Sequence, residues 1–390
     1  MKSIFITSAV RTGIGTFRKS LKDINAIELG ACAISNSISK SNLKKNDIDE
    51  IIMGQVLTGA MGQNPARQAA IKSGIPKEKP AYTVNQVCGS GMRSIVSGLQ
   101  SIKSNDSKII VAGGQENMSL APHAVHLKDG EKIRDADLVN MMIKDGLWDA
   151  FNGYHMGITA ENIAEKFQIS RDEQDKFALK SQEKSLKAKN EKKFKNEIVN
   201  LKIKSKKKEI NFNEDEHPRY DVNLENLSKL KPIFKNNGTV TAGNASGIND
   251  GAAAVILMSE DEAKRRDLET LVSIKSWACC GVDPALMGTG PIPASKKALE
   301  LAGWAIKDVD LFEINEAFAA QSIAVLKTLS IPDEKVNVNG GAISLGHPIG
   351  ASGARILVTL IHEMIKRDVK KGLATLCIGG GMGITLCIER

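Results

Sequence analysis

The chain has 390 residues, is 42% hydrophobic and carries a formal net charge of +8. That length can bury a large core in two or three units, while no apolar run approaches the roughly 18 residues of a membrane span and residues 1–11 break too early for a signal sequence. The charge is local: eleven lysines fall between Lys184 and Lys208 against only Glu191 and Glu197, so the remainder is close to neutral and a general nucleic-acid binder is disfavoured.

In chain order, the start from Met1 to Arg11 reads as a first strand. The β-branched stretch Tyr82-Thr83-Val84 predicts a second strand that turns at Asn85-Gln86-Val87-Cys88-Gly89-Ser90-Gly91 into a helix from Met92 to Leu99. Cys88 thus falls at a helix N-terminus, where unpaired N–H groups and a partial positive charge favour thiolate over thiol. The flanking glycines would let a substrate carbonyl approach the backbone closely. Ile109 to Gly114 is a further strand.

From Ser119 to Asn249 the texture changes. Ser170 and Glu173 have the spacing of a capping box ahead of an amphipathic helix. Ile198 to Phe212 predicts a two-stranded excursion whose turn carries Lys204 and Lys206 to Lys208, a solvated surface or an attractor of polyanions. Thr239 to Gly251 is rich in small residues, as close approach to a ligand or a tight chain crossing would require.

The C-terminal part echoes the N-terminal one. Leu311 to Asn315 parallels Ile51 to Gly54, Val338-Asn339 parallels Val84-Asn85, and Ala374 to Gly380 parallels Ile109 to Gly114. Met92 to Leu99 has a counterpart in a helix from Ala354 to Met364. Strands alternating with helices predict an α/β architecture with mainly parallel, buried sheets. Duplication would bring Cys88 and Cys377, which precedes Ile378-Gly379-Gly380-Gly381, to one interface. The predicted organisation is an N-terminal half over 1–118 plus 250–270, an inserted region over 119–249, and a C-terminal half over 271–390.

His347, between Gly346 and Pro348 just ahead of a helix, adds a candidate base to two candidate nucleophiles. No Cys-x-x-Cys or His-Glu-x-x-His pattern supports a metal, and no glycine cluster completes the dinucleotide spacing G-x-G-x-x-G. Six cysteines without a disulfide-scaffold spacing point to a reducing, cytoplasmic setting.

Together the Cys88 motif, Gly243-Asn244-Ala245-Ser246-Gly247, Asn315-Glu316-Ala317-Phe318, Gly346-His347-Pro348 and Cys377-Ile378-Gly379-Gly380-Gly381 stand in the order found in thiolases. Over its full length the chain resembles that family, within it the acetyl-CoA acetyltransferases. The resemblance implies a duplicated five-layer αβαβα fold with an inserted loop domain that holds coenzyme A, assembled as a homotetramer. It implies reversible Claisen condensation of two acetyl-CoA molecules to acetoacetyl-CoA and CoA, with coenzyme A thioesters as substrates and no separate cofactor.

By resemblance Cys88 accepts the acyl group, His347 takes its proton, and Cys377 removes the α-proton of the second acetyl-CoA or returns it in thiolysis. One oxyanion hole uses His347 and a water held by Asn315; the other uses the N–H groups of Cys88 and Gly379. Ala242 and Ser246 match the loop along pantetheine, Leu147, His155, Met156, Phe234, Met287 and Phe318 match the tunnel lining, and Arg219 matches a residue near adenine. Asn226 stands where some relatives have a serine. Tyr154 to Gly157 and Thr159 to Asn162 look like the short-chain, biosynthetic type. The alternatives are a longer-chain 3-ketoacyl-CoA thiolase and a non-catalytic acyl-CoA carrier on the same scaffold.

Overall fold

The structure is a computed structural model that describes residues 3–127, 129–130, 132, 137–205 and 208–390. The first half opens with β1 (Ile4–Thr12), α1 (Ala26–Lys40), β2 (Glu50–Gly54), α2 (Pro65–Lys72), β3 (Ala81–Val84), α3 (Ser90–Ser104) and β4 (Ile109–Asn117). The chain then leaves the sheet. The excursion holds α4 (Met156–Lys166), α5 (Arg171–Asn190) and the antiparallel pair β5 (Leu201–Ser205) and β6 (Lys208–Phe212). Ser170 and Glu173 form the expected reciprocal cap at the start of α5. Lys206 and Lys207, expected in the hairpin turn, lie outside the described residues.

The chain rejoins the sheet at β7 (Asn249–Ser259). The second half follows as β8 (Val272–Gly281), α6 (Pro291–Ala302), β9 (Leu311–Ile314), α7 (Ala319–Leu329), α8 (Ile349–Arg367), β10 (Lys371–Ile378) and β11 (Met382–Glu389). Strand order is β3-β2-β4-β7-β1 in the first half and β9-β10-β11-β8 in the second, joined where Phe5 and Ile6 of β1 pair with Ser273 and Val272 of β8. A bridge from Val336 to Phe312 stands at the place of β3 in the second half. The two halves therefore repeat one topology.

The sheets are mixed, which corrects the expectation of mainly parallel strands. β2 runs parallel to β3 and β4, and β9 to β10, but β1, β7 and β4 are antiparallel in succession, as are β8, β11 and β10. The reason is local at the C-terminal end: Gly380 and Gly381, at φ +86° and +83°, make a reversal too short for a crossover, so β11 must return antiparallel to β10.

Period-two alternation sorts side chains between layers. In β7, Ala253, Val255 and Leu257 face a middle layer with Met92, Ile95 and Val96 of α3 and Ile356, Leu357 and Leu360 of α8. Ala252, Ala254, Ile256 and Met258 face outward onto α1 and α2. Ala374, Leu376 and Ile378 of β10 join the same middle layer, whereas Leu373 faces α6 and α7. The result is helix, sheet, helix, sheet, helix.

The two middle helices begin earlier than the sequence suggested because their glycines serve contact between them. A Cβ on Gly91 would lie 2.9 Å from the Ala354 nitrogen, and one on Gly353 would lie 2.5 Å from the Met92 nitrogen. Glycines that resemble helix breakers in isolation here permit two helix starts to touch, one carrying Cys88 and the other His347.

Candidate active site

Cys88 sits on the turn from β3 into α3. Val87 is held at φ +45°, a costly left-handed conformation for a β-branched residue, and its N–H donates to Asn85 Oδ1 at 2.9 Å. Ser90 Oγ accepts from Gln86 N–H at 2.9 Å and donates to the Val87 carbonyl at 2.7 Å. The turn thereby turns Cys88 toward a tunnel whose far wall belongs to the other half. Gly89 does not serve substrate approach, as the sequence suggested: a Cβ there would lie 2.5 Å from Ile378 Cδ1. Neither Gly89 nor Gly91 lines the tunnel; Gly379 does.

The tunnel encloses about 400 Å³. Cys88, His347, Cys377 and Gly379 share its wall with all nine residues expected to bind substrate: Leu147, His155, Met156, Arg219, Phe234, Ala242, Ser246, Met287 and Phe318. His155 stacks on Phe234 at 4.6 Å, and Phe234 meets Phe318 edge-on at 6.3 Å. His155 Nδ1 also accepts from Gly157 N–H at 3.0 Å, capping α4. Gly157 is required beside that stack, since a Cβ would lie 2.2 Å from the Phe234 ring.

Asn226 faces a neighbouring cavity that shares His217, Arg219 and Ala242 with the tunnel. Among the described residues of 184–208 no lysine lines the tunnel; Lys189, Lys192 and Lys195 border a separate surface pocket with Pro218 and Tyr220. Segment 217–220 thus alternates, His217 and Arg219 toward the tunnel and Pro218 and Tyr220 toward the lysines.

His347 is buried, and its hydrogen bonds fix its tautomer. Ser352 Oγ has one hydrogen, given to the Pro348 carbonyl at 2.9 Å, so the hydroxyl accepts from His347 Nδ1–H at 2.6 Å. Nε2 is left as a bare acceptor, with Asn315 Nδ2 at 3.4 Å. The His347 N–H donates to Asn249 Oδ1 at 2.9 Å, and Asn249 Nδ2 donates to the Gly15 carbonyl at 2.9 Å. Burial and then the positive charge of Arg355 hold His347 down to about 3, so the imidazole is neutral.

Cys88 keeps part of its surface open, yet protein atoms surround it densely enough that burial pushes its thiol up to about 11. This reverses the expected preference for thiolate: desolvation outweighs the donors at the helix start. The backbone N–H groups of Gly379 and of Cys88 itself offset part of that rise. Cys377, at the end of β10, is almost completely buried, and burial followed by the nearness of Cys88 raises its thiol far above the usual range.

Asn315 does not line the tunnel. It stands behind His347, fully buried, with its Oδ1 unpartnered among the described residues. Its neighbour Glu316 holds the motif in place, accepting from Ser181 Oγ at 2.7 Å, Asn337 Nδ2 at 2.9 Å and Ile343 N–H at 3.1 Å.

Sequence reasoning missed Ser352, Asn249, His217 and Glu116. Ser352 had a signal, lying five residues after His347, one helical turn into α8. Asn249 and Glu116 had none, because Asn249 meets His347 98 residues on and Glu116 meets Val56, Leu57 and Gly350 at separations of 60, 59 and 234.

Chemically, the tunnel wall holds a neutral thiol, a neutral imidazole and a second, buried thiol, with the backbone N–H groups of Cys88 and Gly379 acting on the first. Among the described residues no group of three or more His, Cys, Asp or Glu side chains could hold a metal ion, and no helix is long and apolar enough to cross a membrane.

Comparison with known proteins agrees with this geometry. Residues 4–261 match the model of the thiolase N-terminal domain and residues 268–390 that of the thiolase C-terminal domain. A curated relative from Rhizobium meliloti, named acetyl-CoA acetyltransferase, is 56% identical over 388 residues, covering 100% of this chain and 99% of the relative. Among solved structures, the Bacillus anthracis acetyl-CoA acetyltransferase superposes with a TM-score of 0.97 at 44% identity, covering 100% of this chain and 99% of that one. Human mitochondrial 3-ketoacyl-CoA thiolase in complex with CoA superposes at 0.95 with 42% identity, covering 100% and 98%.

Proposed function

The chain belongs to the thiolase family, and from that premise we infer that it is an acetyl-CoA acetyltransferase, joining two acetyl-CoA molecules into acetoacetyl-CoA and CoA or running the reverse. The observation that carries the mechanism is the meeting of Cys88, His347, Cys377 and the Gly379 N–H on one tunnel wall.

Because Cys88 and His347 are both neutral at rest, the thiolate forms only as it attacks. The Cys88 sulfur adds to the acetyl-CoA carbonyl while its proton passes to His347 Nε2, and CoA leaves with the proton of Cys377. Cys377 is thereby left as the thiolate base, and His347 keeps the Cys88 proton until the Cys88 thiolate, released by the condensation, takes it back. The acetyl oxygen on Cys88 then faces the N–H groups of Cys88 and Gly379. Cys377 removes the α-proton of the second acetyl-CoA, whose enolate oxygen lies toward His347 and Asn315, and the carbanion attacks the acetyl-Cys88 carbonyl. A thiol with so high a pKa is a strong base once ionised, suited to a weak carbon acid, and in its resting form it can return the proton during thiolysis.

Ser352 orients the base, so Ser352→Ala is expected to lower kcat on the order of tenfold, part of the 10²–10⁴ that a positioned general base contributes. KM for CoA should stay nearly unchanged; steady-state thiolysis separates the two parameters.

We assign the coenzyme to the tunnel, with pantetheine along Ala242 and Ser246 and the nucleotide toward Arg219. For chain length, the similarity to both a short-chain enzyme and a 3-ketoacyl-CoA thiolase means that the fold does not discriminate; the acetyl assignment rests on the higher identity to acetyltransferases. Thiolysis of acetoacetyl-CoA is expected to be faster than that of longer 3-ketoacyl-CoA esters, and a preference for long chains would replace the assignment by the longer-chain one.

We also propose a homotetramer. Strand β3 pairs only with β2, leaving its other edge open among the described residues, with Tyr82 39% exposed there. Sedimentation should give four chains; a monomer at micromolar concentration would sink this assembly. A reaction that needs two reduced thiols suits a reducing compartment, so we place the protein in the cytoplasm, where oxidation-sensitive labelling of Cys88 in cells should find it reduced; an oxidised thiol would argue otherwise.

A further inference from the structure

A carboxylate without a cation stands behind the reacting pair. Glu116, next to last in β4, is fully buried, and no Lys, Arg or His forms an ion pair with it among the described residues. An isolated buried carboxylate is costly unless donors surround it. Three backbone groups do so: Val56 N–H reaches Oε2 at 3.0 Å, Leu57 N–H reaches Oε1 at 3.3 Å, and Gly350 N–H reaches Oε2 at 2.9 Å.

These donors belong to the two segments that flank the chemistry. Val56 and Leu57 follow β2 and pack with Met118, Met142 and Ile349 in a cluster that Cys88 borders. Gly350 lies in the first turn of α8, three residues after His347, where unpaired N–H groups and the helix dipole favour a negative charge. The approach is close enough that a Cβ on Gly350 would stand 2.6 Å from Glu116 Oε2 and 2.9 Å from Gln55 Cα. Gln55 braces the arrangement, accepting from Gln115 Nε2 at 2.9 Å and donating to the Leu57 carbonyl at 2.8 Å.

We propose that Glu116 is a positioning residue, whose single carboxylate pins the start of α8, and with it His347, to the half of the molecule that carries Cys88. The need for such a pin follows from topology: nucleophile and base come from different halves, and misplacement by about 1 Å can cost a hundredfold in rate. The inference rests on the acyl-transfer reading above.

The ionised form accepts strongly from all three donors, whereas a protonated carboxyl accepts from them only weakly and must also place its own hydrogen among N–H groups. The titratable groups facing Glu116 are Cys88 on the β3–α3 turn and Asp250 on β7; α8 and the Val56-Leu57 loop present N–H groups, and Gln55 and Gln115 are neutral. Burial, and further Asp250, push Glu116 up to about 7. The pinned form is therefore present above neutrality and lost as pH falls through about 7, a range in which His347 stays neutral.

The test is the rate of Cys88 acetylation by acetyl-CoA in a single turnover, followed by mass spectrometry on both sides of neutrality, for the wild type, Glu116→Gln and Glu116→Asp. The wild-type rate should fall toward acid with a midpoint near 7. Glu116→Gln, which cannot accept from all three donors, should acetylate about tenfold or more slowly without that acid limb, and with unchanged affinity for CoA, since Glu116 does not line the tunnel. Glu116→Asp, charged but too short to reach every donor, should fall between them and keep an acid limb. Either variant acetylating at the wild-type rate overturns the inference, as does a slow Glu116→Gln that keeps the limb, because the loss would then be general. A wild type that takes up no acetyl group would instead overturn the acyl-transfer reading itself.

Discussion

A Cys88→Ala protein is expected to take up no acetyl group from acetyl-CoA and to lose thiolysis of acetoacetyl-CoA by on the order of 10⁴-fold or more, the scale on which removing a covalent nucleophile acts. The donors of the hole, the His347 base and the tunnel would all remain. What disappears is the thiol whose ionised form the Gly379 and Cys88 N–H groups favour. Cys377 is a poor substitute, because its thiol, though on the tunnel wall at the end of β10, is only 1% exposed and is held a still weaker acid than Cys88 by burial. Alanine fits the same turn, whose shape is held by Asn85, Ser90 and the left-handed Val87, so CoA affinity and thermal stability should change little. Intact-protein mass and a thiolysis assay read the two halves of this expectation.

Cys377→Ala should fail later in the cycle. Its Cys88 and His347 are untouched, so one acetyl group should load onto the protein. Without the second thiol no group removes the α-proton of the incoming acetyl-CoA, and condensation should fall by about 10²–10⁴-fold, the usual worth of a positioned proton acceptor. The acetylated protein should then persist in the presence of acetyl-CoA, and acetyl-CoA held in D₂O should no longer exchange its α-protons at the enzyme. Exchange at the wild-type rate would show that another group is the base.

The two thiols could be singled out from the sequence because each lies in a short glycine-rich run after a β-branched stretch, and the repeated strand pattern explained how residues so far apart could meet. The same glycines misled at two points. Gly89 and Gly91 suggested room for a substrate, whereas they allow contact with Ile378 and the start of α8. The helix expected from Ala354 begins instead at Ile349, with Gly350 and Gly353 inside α8. A local pattern cannot tell space left for a ligand from space left for another chain segment.

Strand direction was misread for a related reason. Alternating helices and strands imply parallel pairing, but β7 follows an insertion of more than a hundred residues and β11 follows a glycine hairpin, so neither is reached by a helical crossover. The ionisation of Cys88 was misjudged because a helix N-terminus is visible in a sequence and burial is not. Glu116, Asn249 and Ser352 were missed because they touch backbone or ring nitrogens rather than substrate; only Ser352 is near enough in sequence to His347 to have been found.

The central claim is a division of labour in which Cys88 carries the acyl group and Cys377 moves the proton. The most direct measurement is peptide mapping of the wild-type protein and of Cys377→Ala, each quenched after mixing with acetyl-CoA. One acetyl group on the peptide that contains Cys88, in both proteins and in greater amount in the variant, is the expected result; an acetyl group on the Cys377 peptide of the wild type, or on neither, would contradict it.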